Sequence, residues 1–61
     1  MISTRFVIYK DRAGEYRWRL IAGNNEIVAN SEGYILKQVA IRSAQRVKLW
    51  ASLARIVDVT I

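Results

Sequence analysis

The segment that most constrains the fold is residues 9–20, YKDRAGEYRWRL, which has the pattern of a tight β-hairpin with an aromatic and arginine-rich second arm. The first arm of this hairpin, residues 5–10 (RFVIYK), is dense in β-branched and aromatic residues and is too short for a helix before the turn signal that follows. Asp11 can accept hydrogen bonds from backbone amides ahead of it, and Gly14 can adopt a positive φ without steric cost. We therefore predict a hairpin loop at residues 11–14.

The second arm, residues 15–22, alternates between two faces, which indicates that one face belongs to the core. One face carries Tyr16, Trp18, Leu20 and Ala22, and the other carries Glu15, Arg17, Arg19 and Ile21. Two interpretations of the two aromatic side chains are open: they fill the core, which their large apolar area favours, or they are exposed stacking platforms. The register of the first strand is also open, because a one-residue change in the loop would exchange its two faces.

A third strand follows the turn at residues 23–25, where Gly and Asn tolerate left-handed backbone conformations. This strand is predicted at residues 26–31, with Ile27 and Ala29 on the core face and Val28 on the opposite face. The three strands form an antiparallel meander.

From about residue 36 the apolar spacing changes to the helical period, which predicts a helix at residues 36–51. Its sheet-facing stripe comprises Leu36, Val39, Ala40, Ser43, Ala44, Val47, Trp50 and Ala51. We expect Trp50 to cover one end of the core. The opposite face is rich in Arg and Gln, and it is either a solvated face or a basic surface for an acidic partner.

Residues 55–61, RIVDVTI, are strand-like again and strongly apolar on one side. Such a strand needs a partner, either in its own sheet or in a second copy of the chain. The predicted fold class is therefore α+β with the order β-β-β-α-β, a three-stranded antiparallel meander with one helix on one face and a C-terminal strand, in a single domain over residues 1–61.

A homodimer is predicted from size and from apolar surface. A chain of 61 residues without Cys or His has neither disulfides nor the usual soft metal ligands to stabilise a small core. The helix can cover only one face of the sheet, and apolar residues also lie on the other. The expected dimer interface comprises Val7, Ile21, Val28, Val57, Val59 and Ile61. Whether the C-terminal strands are exchanged or pair at their edges stays open.

The composition argues against an enzyme. Catalysis by His, Cys or a metal that they bind is excluded because neither residue is present. Paired-carboxylate hydrolysis needs two acids that converge in a cleft, which a domain this small can hardly form. The glycines are isolated, so there is no phosphate-binding loop. We expect no catalytic residue, no cofactor and no metal.

The net charge of +5 creates a favourable field for phosphates, anionic lipid or acidic proteins, although a charge of this size is also ordinary for a soluble domain. The candidate surface for a nucleic acid or an acidic protein comprises Tyr9, Lys10, Arg12, Arg17 and Arg19. Arginines interleaved with aromatic residues on a sheet are typical of single-strand binders. The same arginines could instead pair with Glu15, Glu26 or a partner subunit.

The first ten residues already alternate like a strand and lack the apolar centre of a signal peptide, and no segment approaches the about 20 apolar residues that span a bilayer. We expect a cytoplasmic protein that does not bind membranes.

Residues 6–34, FVIYKDRAGEYRWRLIAGNNEIVANSEGY, resemble the YegP-like family, a small prokaryotic domain of unknown function. The motifs IYKD, GEYRWRL, EIVA and SEGY carry the resemblance, which continues through the helix to the region of Asp58. It implies a meander followed by a helix, in single-copy homodimers or in tandem repeats that imitate a dimer. The chain departs from the usual pattern at Asn25 for Gly, Leu36 for Ser, Ser43 and Ala44 for Gly-Ile, and Trp50 for Asn.

The resemblance carries over no catalytic or ligand residue, because none is established for the family. The sequence thus predicts an uncharacterised, non-catalytic, homodimeric domain that serves as a macromolecular interaction module. The alternative is a nucleic-acid-binding protein that uses the basic and aromatic surface of its sheet.

Overall fold

The computed structural model describes residues 3–61, which form three strands and one helix. The elements in chain order are β1 (Arg5–Lys10), β2 (Tyr16–Ile21), β3 (Ile27–Asn30) and α1 (Lys37–Leu53). The strands form one antiparallel sheet of order β1-β2-β3, and α1 packs on one face of it, mainly against β2. The α+β class and the meander are confirmed. Residues 54–61 form no strand in the single chain.

Both turns are built as the Gly and Asn residues predict. In the first turn Gly14 has a φ of 82°, and its N–H donates to the carbonyl of Asp11 at 3.0 Å. In the second turn Asn25 has a φ of 69°, a left-handed conformation that Asn tolerates better than most residues. The N–H of Asn25 donates to the carbonyl of Ala22 at 2.8 Å, which closes the link between β2 and β3.

The register of β1 against β2 decides the question that the sequence left open. Ile8 pairs with Trp18, and Val7 pairs with Arg19. Because directly opposed residues point to the same side of a sheet, Ile8 shares the helix-facing side with Trp18, and Val7 shares the outer side with Arg19. Tyr9, which pairs with Arg17, also lies on the outer side.

A β-bulge between β2 and β3 changes one predicted assignment. Leu20 pairs with Ala29, whereas the next residue of β2, Ile21, pairs with Ile27. The extra residue in β3 is Val28, and it reverses the alternation of the strand. Ala29 therefore lies on the helix-facing side as predicted. The prediction that Ile27 belongs to the core face is wrong, since Ile27 lies beside Ile21 on the outer side and is exposed.

The core is small and is centred on one tryptophan. Among the described residues only Trp18 (6% exposed), Ala40 (0%) and Ala44 (6%) are buried. The ring of Phe6 meets the indole of Trp18 edge to face, with 5.2 Å between the ring centroids. The two alanines of α1 bring the helix close to the sheet, as the small residues of its predicted stripe indicate.

Trp50 does not cover the core as we expected, because 60% of its surface is exposed. At 100° per residue, Trp50 lies roughly 100° around α1 from the centre of the buried stripe at Ala40 and Ala44. It therefore stands at the margin of the helix–sheet contact. Within residues 3–61, no helix combines the length and the apolar character that crossing a bilayer requires.

Candidate interaction surfaces

The outer face of the sheet carries a shallow basin at its hairpin end. It has a volume of about 750 Å³ and is open to solvent. β1 and β2 supply Tyr9, Arg17 and Arg19 from one face of the sheet, and the hairpin loop supplies Arg12. The remaining residues of its lining are Lys10, Asp11, Ala13 and Asn30. We call this feature the outer-face basin.

Arg17 is fixed in the basin by contacts within the chain. Its Nε donates to Oδ2 of Asp11 at 2.6 Å, and its Nη1 donates to the carbonyl of Ser31 at 3.1 Å. The other carboxylate oxygen of Asp11 accepts the N–H of Glu15 at 2.9 Å. The Arg17 hydrogen bond, followed by that of the Glu15 amide, lowers the pKa of Asp11 below its ordinary value of 3.8, and the same ion pair raises the pKa of Arg17. Arg17 therefore holds the hairpin together.

Arg19 is held differently, since its guanidinium lies over the ring of Tyr9. The guanidinium carbon is 4.3 Å from the ring centroid, and Nε donates to Oδ1 of Asn30 at 3.3 Å. A guanidinium that stacks on an aromatic ring keeps its planar set of N–H donors for other partners. Tyr9 and Arg19 thus form a cationic and aromatic platform on the outer face.

Lys10 borders the basin but directs its charge elsewhere. Lys10 pairs with Tyr16 across the hairpin, and its Nζ lies 5.4 Å from the centroid of the Tyr16 ring on the helix-facing side. Arg12 is exposed in the loop. Of the five residues proposed for this surface, the structure brings Tyr9, Arg12, Arg17 and Arg19 to one side and places the ammonium of Lys10 on the other.

Sequence reasoning missed the partners that hold the two strand arginines. It considered glutamates for pairing, whereas the structure uses Asp11 for Arg17 and Asn30 for Arg19. The signal for Asp11 was present in the hairpin pattern, since the Tyr9–Arg17 pair places the start of the loop beside Arg17. The signal for Asn30 depended on the bulged register of β3, which no sequence pattern indicates.

The residues proposed for a dimer interface occupy two separate parts of the chain. Val7 and Ile21 are half-buried on the outer side of the sheet, and Val28 is exposed at the bulge. Val57, Val59 and Ile61 lie in the segment after the helix, in which every residue is exposed. We call this segment, residues 54–61, the tail. Among residues 3–61, all hydrogen bonds of the tail are local. The hydroxyl of Thr60 donates to Oδ1 of Asp58 at 2.6 Å and the N–H of Thr60 donates to the same oxygen at 2.8 Å, and the first of these, followed by the second, lowers the pKa of Asp58.

A second concave surface, of about 240 Å³, lies along α1 beside Tyr34. Its lining comprises Tyr34, Val39, Arg42, Ser43, Arg46, Val47 and Trp50. The hydroxyl of Ser43 accepts the indole N–H of Trp18 at 2.9 Å and lies 3.0 Å from the Tyr34 hydroxyl, so this groove is anchored to the core. In the part of the chain that the structure describes, no cluster of acidic residues is placed to bind a metal ion.

Comparison with known proteins gives relatives of unknown function. A UPF0339 protein of Neisseria meningitidis serogroup B is 67% identical over 33 residues, which are 54% of this chain and 59% of that protein, so the match spans less than two thirds of the relative. A UPF0339 protein of Agrobacterium fabrum is 45% identical over 56 residues, which are 92% of this chain and 90% of that protein.

The fold is also found in a solved structure. The NMR solution structure of a protein from Haloferax volcanii is similar to this chain with a TM-score of 0.80 and 37% identity, covering 95% of this chain and 98% of that one. Residues 11–58 match the domain of unknown function DUF1508. These matches confirm the resemblance seen in the hairpin motifs, and the chain belongs to the DUF1508 family of small YegP-like domains.

Proposed function

We propose that this chain is a non-catalytic homodimeric module for macromolecular interaction. The observation that carries the proposal is the apolar surface that a single chain leaves in water. The exposed large apolar residues are Ile27, Val28, Ile35, Leu36, Val39, Leu49, Trp50, Leu53, Ile56, Val57, Val59 and Ile61. Most of them lie on α1, on the segment before it or in the tail.

The accessible surface and the radius of gyration of the single chain also support a dimer. Its accessible surface is 5317 Å², whereas a folded monomer of 7.0 kDa is expected to expose about 4,000 Å². Its radius of gyration is 13.4 Å, compared with about 10.5 Å for a compact domain of 61 residues. The excess surface is of the size that one partner contributes to a stable protein–protein interface, about 800 Å² or more.

A second copy of the chain would provide the tail with a strand to pair with. It is apolar and exposed, and Ile56 has the full exposure of a residue in an unfolded chain. β1 and β3 are the two edges of the sheet, each with one side of its backbone unpaired within the sheet. A tail that pairs with an edge of the partner's sheet satisfies both backbones, and two-fold symmetry repeats the contact. The predicted C-terminal strand belongs to this proposal.

The non-catalytic part of the proposal rests on what the acidic side chains do. Asp11 is engaged by Arg17, and Asp58 by Thr60. The side chain of Glu15 lies against Gly33, so closely that a Cβ at residue 33 would overlap it. These carboxylates serve the turn, the tail and the packing of the meander, which leaves no pair of them converging on a cleft in the described part of the chain.

Sedimentation velocity tests the assembly. We expect a species of twice the chain mass at micromolar concentration. Val59→Asp should dissociate it, because a charge would enter the apolar contact, whereas the matched control Thr60→Asp places the same charge on the neighbouring residue and should leave the dimer intact. A stable, soluble and folded wild-type monomer would refute the proposal.

Nucleic-acid binding through the outer-face basin is the second candidate function. It is favoured by one specific observation, the convergence of Arg12, Arg17 and Arg19 around Tyr9 at the hairpin end of the sheet. Fluorescence titration with oligonucleotides at two salt concentrations tests it, because phosphate contacts make affinity fall steeply with salt. Absence of binding at low salt would exclude it.

A further inference from the structure

The outer-face basin supports a more specific inference, which rests on the second proposed function. We propose that it binds single-stranded nucleic acid, with one base stacked on the Tyr9–Arg19 platform and a neighbouring phosphate held by Arg12. The three side chains have different roles: Tyr9 and Arg19 contact the face of a base, and Arg12 supplies the charge for a phosphate.

The platform is already assembled without ligand. The guanidinium of Arg19 lies 4.3 Å from the ring centroid of Tyr9, and Asn30 holds its Nε at 3.3 Å. Two groups therefore hold the guanidinium in place, the ring of Tyr9 beneath it and Asn30 through a hydrogen bond. A planar cation held in this way offers a π-face to a base, and little side-chain entropy remains to be lost on binding.

The charges of the basin are not equivalent. Arg17 already donates to Asp11 and to the carbonyl of Ser31, and the depressed pKa of Asp11 keeps that carboxylate ionised. Its charge is balanced, so Arg17 is a scaffold and not a phosphate ligand. Arg12 makes no hydrogen bond or ion pair within residues 3–61 and lies in the exposed loop. It is the cation of this basin that is available to a phosphate.

The geometry favours a single strand over a duplex. Stacking requires an accessible base face, and a duplex hides base faces and presents only base edges in its grooves. This surface cannot insert a helix into the major groove, because α1 lies on the far side of the sheet. An open, shallow basin of about 750 Å³ accommodates a strand that runs across it.

The test compares four probes of equal length by fluorescence anisotropy. They are labelled oligo-dT, oligo-rU, a DNA duplex and an abasic DNA strand, each of about 12 nucleotides, within the usual site size of single-strand binders. The abasic strand keeps every phosphate and lacks every base. We expect oligo-dT to bind roughly fivefold to a hundredfold more tightly than the abasic strand, which is the range of base stacking on an aromatic group. Oligo-rU differs from oligo-dT in its sugar and in the 5-methyl group of its base, and it should likewise bind more tightly than the abasic strand.

Two variants separate stacking from charge. Arg19→Lys keeps the charge and loses the planar group, so the ratio of oligo-dT to abasic affinity should fall towards one while the salt dependence stays unchanged. Arg12→Ala should reduce the slope of log affinity against log salt by about 0.7, the contribution of one phosphate contact in a single strand. Arg46→Ala removes an equally exposed charge from α1 and is the matched control, which should change neither quantity. Circular dichroism verifies that each variant is folded.

The outcomes distinguish this inference from the broader proposal. Equal, salt-dependent binding of oligo-dT and the abasic strand would keep nucleic-acid binding and refute base stacking. Tighter binding of the duplex would overturn the single-strand inference in favour of groove binding. Tighter binding of a fifth probe, labelled poly-glutamate with the same number of charges, would overturn it in favour of an acidic protein. Absence of binding by every probe at low salt would exclude both.

Discussion

Replacing Ser43 with alanine tests how the helix is joined to the sheet. The hydroxyl of Ser43 accepts the indole N–H of Trp18 at 2.9 Å and shares a hydrogen bond with the hydroxyl of Tyr34 at 3.0 Å. One side chain of α1 thus connects the centre of β2 with the segment that follows β3. Alanine removes both bonds and leaves the helix backbone unchanged.

The cost follows from the burial of Trp18. With 6% of its surface exposed, the indole N–H has little access to water, and a buried donor without a partner costs about 1–3 kcal/mol. Alanine offsets about 0.5 kcal/mol of this through its higher helix propensity. We expect a net loss of about 0.5–2.5 kcal/mol in the free energy of unfolding. For a domain of this size, each kcal/mol corresponds to about 4–8 °C in Tm.

The assay is urea unfolding at a fixed protomer concentration, because the proposed dimerisation would couple stability to concentration. Ser52→Ala is the matched control: it lies in the same helix and changes propensity equally, but its hydroxyl donates only to the exposed carbonyl of Leu49 at 2.6 Å. The difference between the two variants isolates the Trp18 contact. If Ser43→Ala is as stable as Ser52→Ala, or if it costs the same in a Trp18→Phe background that lacks the donor, the reasoning is wrong.

Three further substitutions test the turn, the start of the helix and the meander. Asp11→Asn should destabilise the protein at pH values above 3.8, the ordinary pKa of an aspartate. Because the pKa of Asp11 in the folded protein is lower still, the stability difference from wild type should vanish as pH falls through the acid range. Urea unfolding from neutral pH to about pH 2.5 measures this difference. Leu36→Ser should raise the free energy of unfolding by about 1 kcal/mol, since Leu36 is an N-cap residue with extended dihedrals and no side-chain cap, whereas Ile35→Ser, one residue earlier, should not. Gly33→Ala should cost about 1–3 kcal/mol because its Cβ would overlap the Glu15 side chain, and most of that loss should be recovered in the double variant with Glu15→Ala, so additive losses would contradict the contact.

Local periodicity predicted the elements of this fold because it depends only on neighbours in the sequence. The helix predicted at residues 36–51 is observed at Lys37–Leu53, and the alternation of β2 placed Trp18 on the buried side. Ile27 was assigned to the wrong face because a bulge depends on pairing between strands. Trp50 was expected in the core because apolar character marks the whole stripe of a helix, whereas only the part of that stripe that packs on β2 and β1 is covered.

For the candidate surface too, local sequence predicted which residues share a face but not which partners they contact. Alternation along β2 placed Arg17 and Arg19 together, but it did not show that Asp11 neutralises the first and that Tyr9 supports the second. Lys10 was grouped with them by proximity in sequence, and the hairpin register places its ammonium on the other face. Cross-strand pairing thus determines which cation is free to act, and sequence alone leaves that pairing open.

The two proposals use different parts of the molecule, and this makes them compatible. On the outer side of the sheet Ile21 pairs with Arg5 at the end away from the hairpin loop, Val7 pairs with Arg19 beside the platform, and Arg12 lies at the hairpin end. An interface made by the tail and a sheet edge at the Ile21 end leaves the basin open, and a homodimer of this kind carries two basins. A strand long enough to reach both gains avidity without any new contact, because its second binding step becomes intramolecular. Affinity should therefore rise abruptly at the length that spans the dimer, and it should rise only gradually with length in a variant that no longer dimerises.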